Sequence, residues 1–155
     1  MKFNSIESAL TFAFSVRERQ DYARLDLLGV RSTGGDRMTP LDLHAQGAMI
    51  ISRVNTLPDV EMLTVYAQWA YGKERDLAVG SWAQIHAEGL GVSVSQARDS
   101  LSNWVKRSPS LRKIAADHGA SYRQANTWRK KVLDTFLPMQ RRALDSLHDQ
   151  LIDRS

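Results

Sequence analysis

The chain has 155 residues, enough to bury a core without metals or cross-links, and a formal net charge of +4. It has no cysteine, which excludes disulfides, thiolate metal sites and dithiol redox chemistry and fits a reducing cytoplasm. No apolar run is long enough to span a bilayer, and the stretch within residues 1–20 is broken by Glu7 and Ser8 without a small-residue cleavage site, so it does not read as a signal peptide.

Ser5 caps a first helix that turns Ile6, Ala9, Leu10 and Ala13 inward, with Phe12, Phe14 and Val16 widening the apolar face. Tyr22, Leu25, Leu27 and Leu28 continue it or form a short turn. Residues 29–38 hold three glycines without periodicity and read as a loop or hinge. Thr39-Pro40-Leu41-Asp42 is a strong start signal: a capping hydroxyl, a proline at the first helical position and an acid in the first turn. The helix it opens runs to about Val54 and buries Leu43, Ala48, Ile50, Ile51 and Val54 in part. A third helix spans residues 58–71 with Val60, Leu63, Val65 and Ala67, plus Tyr66, Trp69 and Tyr71, and ends at Gly72. A fourth runs from about Arg75 to Glu88 on Leu77, Val79, Trp82 and Ile85, and Gly89 and Gly91 close it. Ser93 and Gln96 have the spacing of a capping box, opening a helix that buries Ala97, Leu101, Trp104 and Val105. Ser108-Pro109-Ser110 then separates this body from a basic segment. After Pro138 a last helix turns Met139, Leu144, Leu147, Leu151 and Ile152 inward. No strand pair is evident. The pattern predicts an all-α fold: a helical bundle with a carboxy-terminal helix-turn-helix, organised as a body over 1–107 and a DNA-binding part over 108–155.

The segment from Ser110 to Val132 carries the functional signal. Ile114, Ala115 and Ala116 form the inner face of a short helix, Gly119 sits where the chain turns, and Ser121 is placed to cap the next helix. Ala125, Trp128 and Val132 follow on one face at steps of three and four. His118 departs from the pattern, since the residue before such a turn is usually apolar. Two amphipathic helices joined through a glycine are common in all-helical proteins, so charge has to decide the meaning. Residues 106–142 hold ten Lys or Arg against two Asp, a net +8, whereas residues 1–105 and 143–155 are each net −2. A solvated face ordinarily mixes signs; an excess confined to one motif points to a polyanion.

The expected DNA-binding residues are Arg112, Lys113, Ser121, Tyr122, Arg123, Asn126, Thr127, Arg129, Lys130 and Lys131. Arg123 suits a guanine edge and Asn126 an adenine edge. Arg112 and Lys113, with Arg129, Lys130 and Lys131, suit the phosphates flanking a groove. Arg141 and Arg142 extend these contacts or meet an acidic partner. An internal echo accompanies the motif. Ile85-His86-Ala87 followed by Ser93–Ala97 is similar to Ile114-Ala115-Ala116 followed by Ser121–Ala125, with the offset changing by one residue between the halves. A degenerate helix-turn-helix over 82–105 explains it, and so does coincidence among helix starts rich in Ala and Ser. The first copy lacks the basic surface that DNA binding needs.

Other chemistry finds no support. His44, His86, His118 and His148 show no metal-ligand spacing, and there is no phosphate-cradling glycine loop or nucleophile elbow. The acids Glu18, Asp21, Glu74 and Asp76 sit among arginines as solvated surface. Tyr66, Trp69, Tyr71 and Trp82 fall at helical spacing in apolar segments, which favours core packing over base stacking. No catalytic site, cofactor or metal is expected.

Phe3–Leu10, the Met38–Ile50 stretch MTPLDLHAQGAMI and the closing helix-turn-helix together resemble the late-gene antitermination proteins of phages, and the last element resembles the promoter-reading helix-turn-helix of sigma factors. The resemblance implies a protein that binds DNA near a late promoter, loads onto RNA polymerase and lets transcription pass terminators. Some antiterminators carry a zinc-binding cysteine cluster; without cysteine, this chain resembles only the metal-free kind. Tyr122–Lys130 alone match the DNA-reading positions. The expectation is a cytoplasmic, non-enzymatic, sequence-specific transcription regulator of phage type that binds double-stranded DNA. RNA polymerase, or a second copy in a homo-oligomer, is its further partner. The alternatives are a dimeric repressor or activator and a DNA-packaging or assembly adaptor.

Overall fold

The computed structural model describes residues 3–19 and 40–152. Among these residues the fold is all-α, with no strand. The helices are α1 Ile6–Glu18, α2 Pro40–Val54, α3 Asp59–Trp69, α4 Gly72–Leu90, α5 Val94–Lys106, α6 Leu111–Asp117 and α7 Tyr122–Leu151. The expectations for Tyr22–Leu28, for the loop over 29–38 and for Thr39 lie outside the described residues.

The helices fall into two compact units. In the first, α1 and α2 pack on each other, and the chain from Leu144 onward counts with them. Ser5 Oγ accepts the Ser8 amide at 3.1 Å, and Ile6, Ala9, Leu10, Ala13 and Phe14 are buried behind that cap. Phe12 and Val16 are only partly covered, and Phe3 meets Phe12 with ring centroids 5.3 Å apart. In α2, Ile50, Ile51 and Val54 are buried. Gly47 is buried against α1, where an added Cβ would just reach contact with Val16 Cγ1 at 3.4 Å. Ala48, expected inside, is exposed; the inner stripe runs through Gly47, Ile50, Ile51 and Val54, and Ala48 lies off it.

The second unit, Pro58–Ala143, holds α3 to α6 and most of α7. Its core is built on Trp82, Ala83, Leu101, Val132 and Phe136, with Trp104 and Met139 packed against it. Trp82 and Phe136 meet edge to face at 5.4 Å. Two apolar positions expected inside α4 are outside: Leu77 is 70% and Ile85 55% exposed. The inner stripe is instead Ala78, Val79, Trp82, Ala83 and Ala87, where small residues let the large indole sit between helices. Gly72 does not end α3. Ala70 closes that helix, and Gly72, at φ +54°, opens α4. Gly89 lies inside α4, and Gly91 alone closes it.

The largest departure from expectation is Pro138. A new helix was expected after it, but α7 runs unbroken from Tyr122 to Leu151 with the proline inside. An interior proline removes one hydrogen bond and crowds the carbonyl four residues earlier, that of Asp134. Pro138 and Asp134 are both exposed, so water can reach that carbonyl. Phe136 and Met139, one on each side of the proline, hold the helix to the core.

Candidate nucleic-acid interface

Ser110 Oγ accepts the Lys113 amide at 3.2 Å and caps α6. The helix ends after two turns in a tight reversal: the Gly119 amide donates to Ala116 O at 3.3 Å and the Ala120 amide to Ala115 O at 2.8 Å. Gly119 has φ +60°, and an added Cβ would meet nothing within 4 Å. Glycine is therefore favoured here by backbone conformation and not by space. α7 opens on a reciprocal cap in which Ser121 Oγ accepts the Gln124 amide at 3.1 Å and Gln124 Oε1 accepts the Ser121 amide at 2.9 Å. Ile114, Ala115 and Ala125 are buried between the two helices, with Leu111 and Trp128 against them.

His118 has partners that account for its place before the turn. Its Nε2 lies 2.9 Å from Asp99 Oδ2 on α5, and its ring meets Trp128 edge-on at 5.7 Å. The polar ring thus occupies an inner position because α5 supplies a carboxylate to it.

What remains outside is the face predicted to contact a polyanion. Ser121, Tyr122, Arg123, Asn126, Thr127, Lys130 and Lys131 of α7 are exposed, as are Arg112 and Lys113 of α6. Arg112, Arg123, Lys130 and Lys131 pair with no acid among the described residues. Lys113 is 3.2 Å from Asp117, an exposed i,i+4 pair that a stronger anion can displace. Thr127 donates its hydroxyl proton to Arg123 O at 3.0 Å, leaving its oxygen lone pairs and methyl group for a ligand.

Arg129 sits differently from the other expected phosphate contacts. Its Nε donates to Asn103 Oδ1 at 2.8 Å and its guanidinium lies 5.6 Å over the Trp104 ring. Asn103 in turn donates from Nδ2 to Pro109 O at 2.9 Å, and Ser102 Oγ donates to Ser108 O at 2.7 Å. Arg129 is thereby committed to holding α5, the 107–110 connection and α7 together. Position 129 falls on the side of α7 that meets α5, whereas 123, 127, 130 and 131 turn away from it and 126 borders the two sides. Arg107, Arg141 and Arg142 are further exposed cations of this unit.

The Ser121–Gln124 spacing was a readable cap signal, identical to that of Ser93 and Gln96, and reading it twice would have identified Gln124 as a capping residue. The role of Asn103 had no such signal, because its partners are 26 and 6 residues away. Trp82 is fully buried and His86 stacks on it at 4.3 Å, while Tyr66 and Trp69 are half-buried and Tyr71 is exposed. Among the described residues no cluster of His, Asp or Glu is placed to hold a metal ion, and no helix is long and apolar enough to cross a membrane. No protein-family model matches the chain, and no curated protein matches it.

Proposed function

We propose that this chain is a non-enzymatic, sequence-specific regulator of transcription that lays the first turns of α7 in the major groove of duplex DNA. The observation that carries this reading is the outward face of α6 and α7: Arg112, Lys113, Lys130 and Lys131 flank the Arg123 fork, the Asn126 amide and the hydroxyls of Ser121, Tyr122 and Thr127, and of these five cations only Lys113 has an acidic partner among the described residues. Cations of this density repel one another and are stabilised by a polyanion. Arg123 and Asn126 offer the bidentate donor and acceptor patterns suited to guanine and adenine. The resemblance to late-gene antitermination proteins narrows the proposal to a cytoplasmic phage-type factor that acts on RNA polymerase near a late promoter.

Footprinting of the full chain on duplex DNA flanking its own coding region, with and without RNA polymerase, tests the proposal. A discrete protected site, and transcription that continues past a downstream terminator when the chain is present, is the expected result. Failure to retain any duplex at low ionic strength overturns DNA binding. A protected site without terminator read-through removes antitermination and leaves a repressor or activator.

A further inference from the structure

Two turns of the second unit, at Gly91 and Gly119, are the same structure written twice. Ala87, Gly91, Ser93, Gln96 and Ala97 recur as Ala115, Gly119, Ser121, Gln124 and Ala125, at a constant offset of 28 residues. In both, the glycine takes positive φ, +69° at Gly91 and +60° at Gly119. In both, the next amide reaches back five residues: Val92 to Ala87 O at 3.1 Å, and Ala120 to Ala115 O at 2.8 Å. In both, serine and glutamine exchange capping bonds, at 3.0 and 3.0 Å for Ser93 and Gln96. Both pairs of alanines are buried. The one-residue slip suggested by the sequence echo disappears, because Ala87 and not His86 is the counterpart of Ala115. Leu90, the counterpart of His118, supplies the apolar residue that the second copy lacks.

This register assigns an outward face to α5. Val94, Ser95, Arg98 and Ser102 stand where Tyr122, Arg123, Asn126 and Lys130 stand on α7. Val94 and Arg98 are exposed and border an open groove with Leu77 and Gly80. Lys73 and Asp76 line the same groove. Residues 93–107 hold Arg98, Lys106 and Arg107 against Asp99; Lys106 pairs with Asp76 of α4 at 3.0 Å, and Asp99 lies 2.9 Å from His118 and 3.9 Å from Arg98, which leaves Arg107 without an acid among the described residues. Arg107 closes α5 at φ +62°, where glycine is the less strained residue, and it leads directly toward Arg112 and Lys113.

We propose that α4 and α5 form a second duplex-reading unit, so that one chain reads two stretches of DNA, with Arg98 contacting a base edge and Val94 offering apolar contact to a thymine methyl. This inference rests on the reading of α7 given above. Selection of binding sites from a random duplex library, followed by footprinting, separates the two. The wild-type chain should select two blocks of preferred bases. Arg98→Ala and Arg98→Lys should each erase one block and lower affinity for the selected site about tenfold, while Arg123→Ala erases the other. If both Arg98 variants select the wild-type motif and Arg123→Ala relaxes it, the second unit is not a reader and the α7 reading stands. If the wild-type chain retains no duplex, both fail. Arg98 is exposed, and an unchanged circular dichroism spectrum and melting curve confirm that its variants fold.

Discussion

Arg123, Asn126 and Arg129 lie within two turns of one helix yet do different work, because a helix sends neighbours to different sides. Arg123→Ala and Asn126→Ala should relax sequence preference more than they weaken binding to random duplex, as a competition assay will show; equal loss on all DNA removes them from base reading. Lys130→Ala and Lys131→Ala should each lower the salt dependence of binding by roughly one in log–log slope, the signature of one lost phosphate contact. An unchanged slope takes them off the interface. Arg129→Ala should instead destabilise the fold by about 1–2 kcal/mol, through loss of the Asn103 bond and the Trp104 stack. Urea denaturation measures this, and unchanged stability refutes the structural role. Arg129 could not be told from Lys130 and Lys131 by sequence, since all three are basic and the distinction depends on where α5 lies.

At the scale of the element, local signals explain most helix ends. Ser5, Ser93 and Ser110 cap the helices that follow them, and Gly91 and Gly119 turn the chain, because capping and positive φ are properties of the residue and its immediate neighbours. Gly119→Ala should cost about 1 kcal/mol from backbone strain alone, since no neighbour meets the added methyl. A thermal melt checks this, and an unchanged melting temperature argues against the left-handed turn. Pro138 shows the limit of local reading. Its intrinsic effect is to stop a helix, but anchors on both sides hold α7 through it. Pro138→Ala should therefore stabilise the protein, by up to about 3 kcal/mol. A loss of stability would show that the proline is not a tolerated cost of the long helix.

For the molecule as a whole, the asymmetry of charge sets the expected behaviour toward DNA. The net +8 of residues 106–142, against a net −4 over the rest of the chain, concentrates attraction on one segment. If the five exposed cations of α6 and α7 each meet a phosphate, the logarithm of affinity should fall with the logarithm of salt at a slope of about −4 to −5. Titration by fluorescence anisotropy across salt concentrations measures it. A slope near zero would mean that the charge excess serves something other than a polyanion.

The order of hydrophobic and polar residues was sufficient to specify an all-α fold, the turn at Gly119 and the exposed character of Arg123, Asn126, Lys130 and Lys131. These follow from periodicity, capping and charge, which act over a few residues. Tertiary packing alone decided that Leu77 and Ile85 face outward, that Arg129 faces inward and that His118 finds Asp99. Each depends on which side of a helix meets a neighbour distant in sequence, and short-range preferences carry no record of that distance.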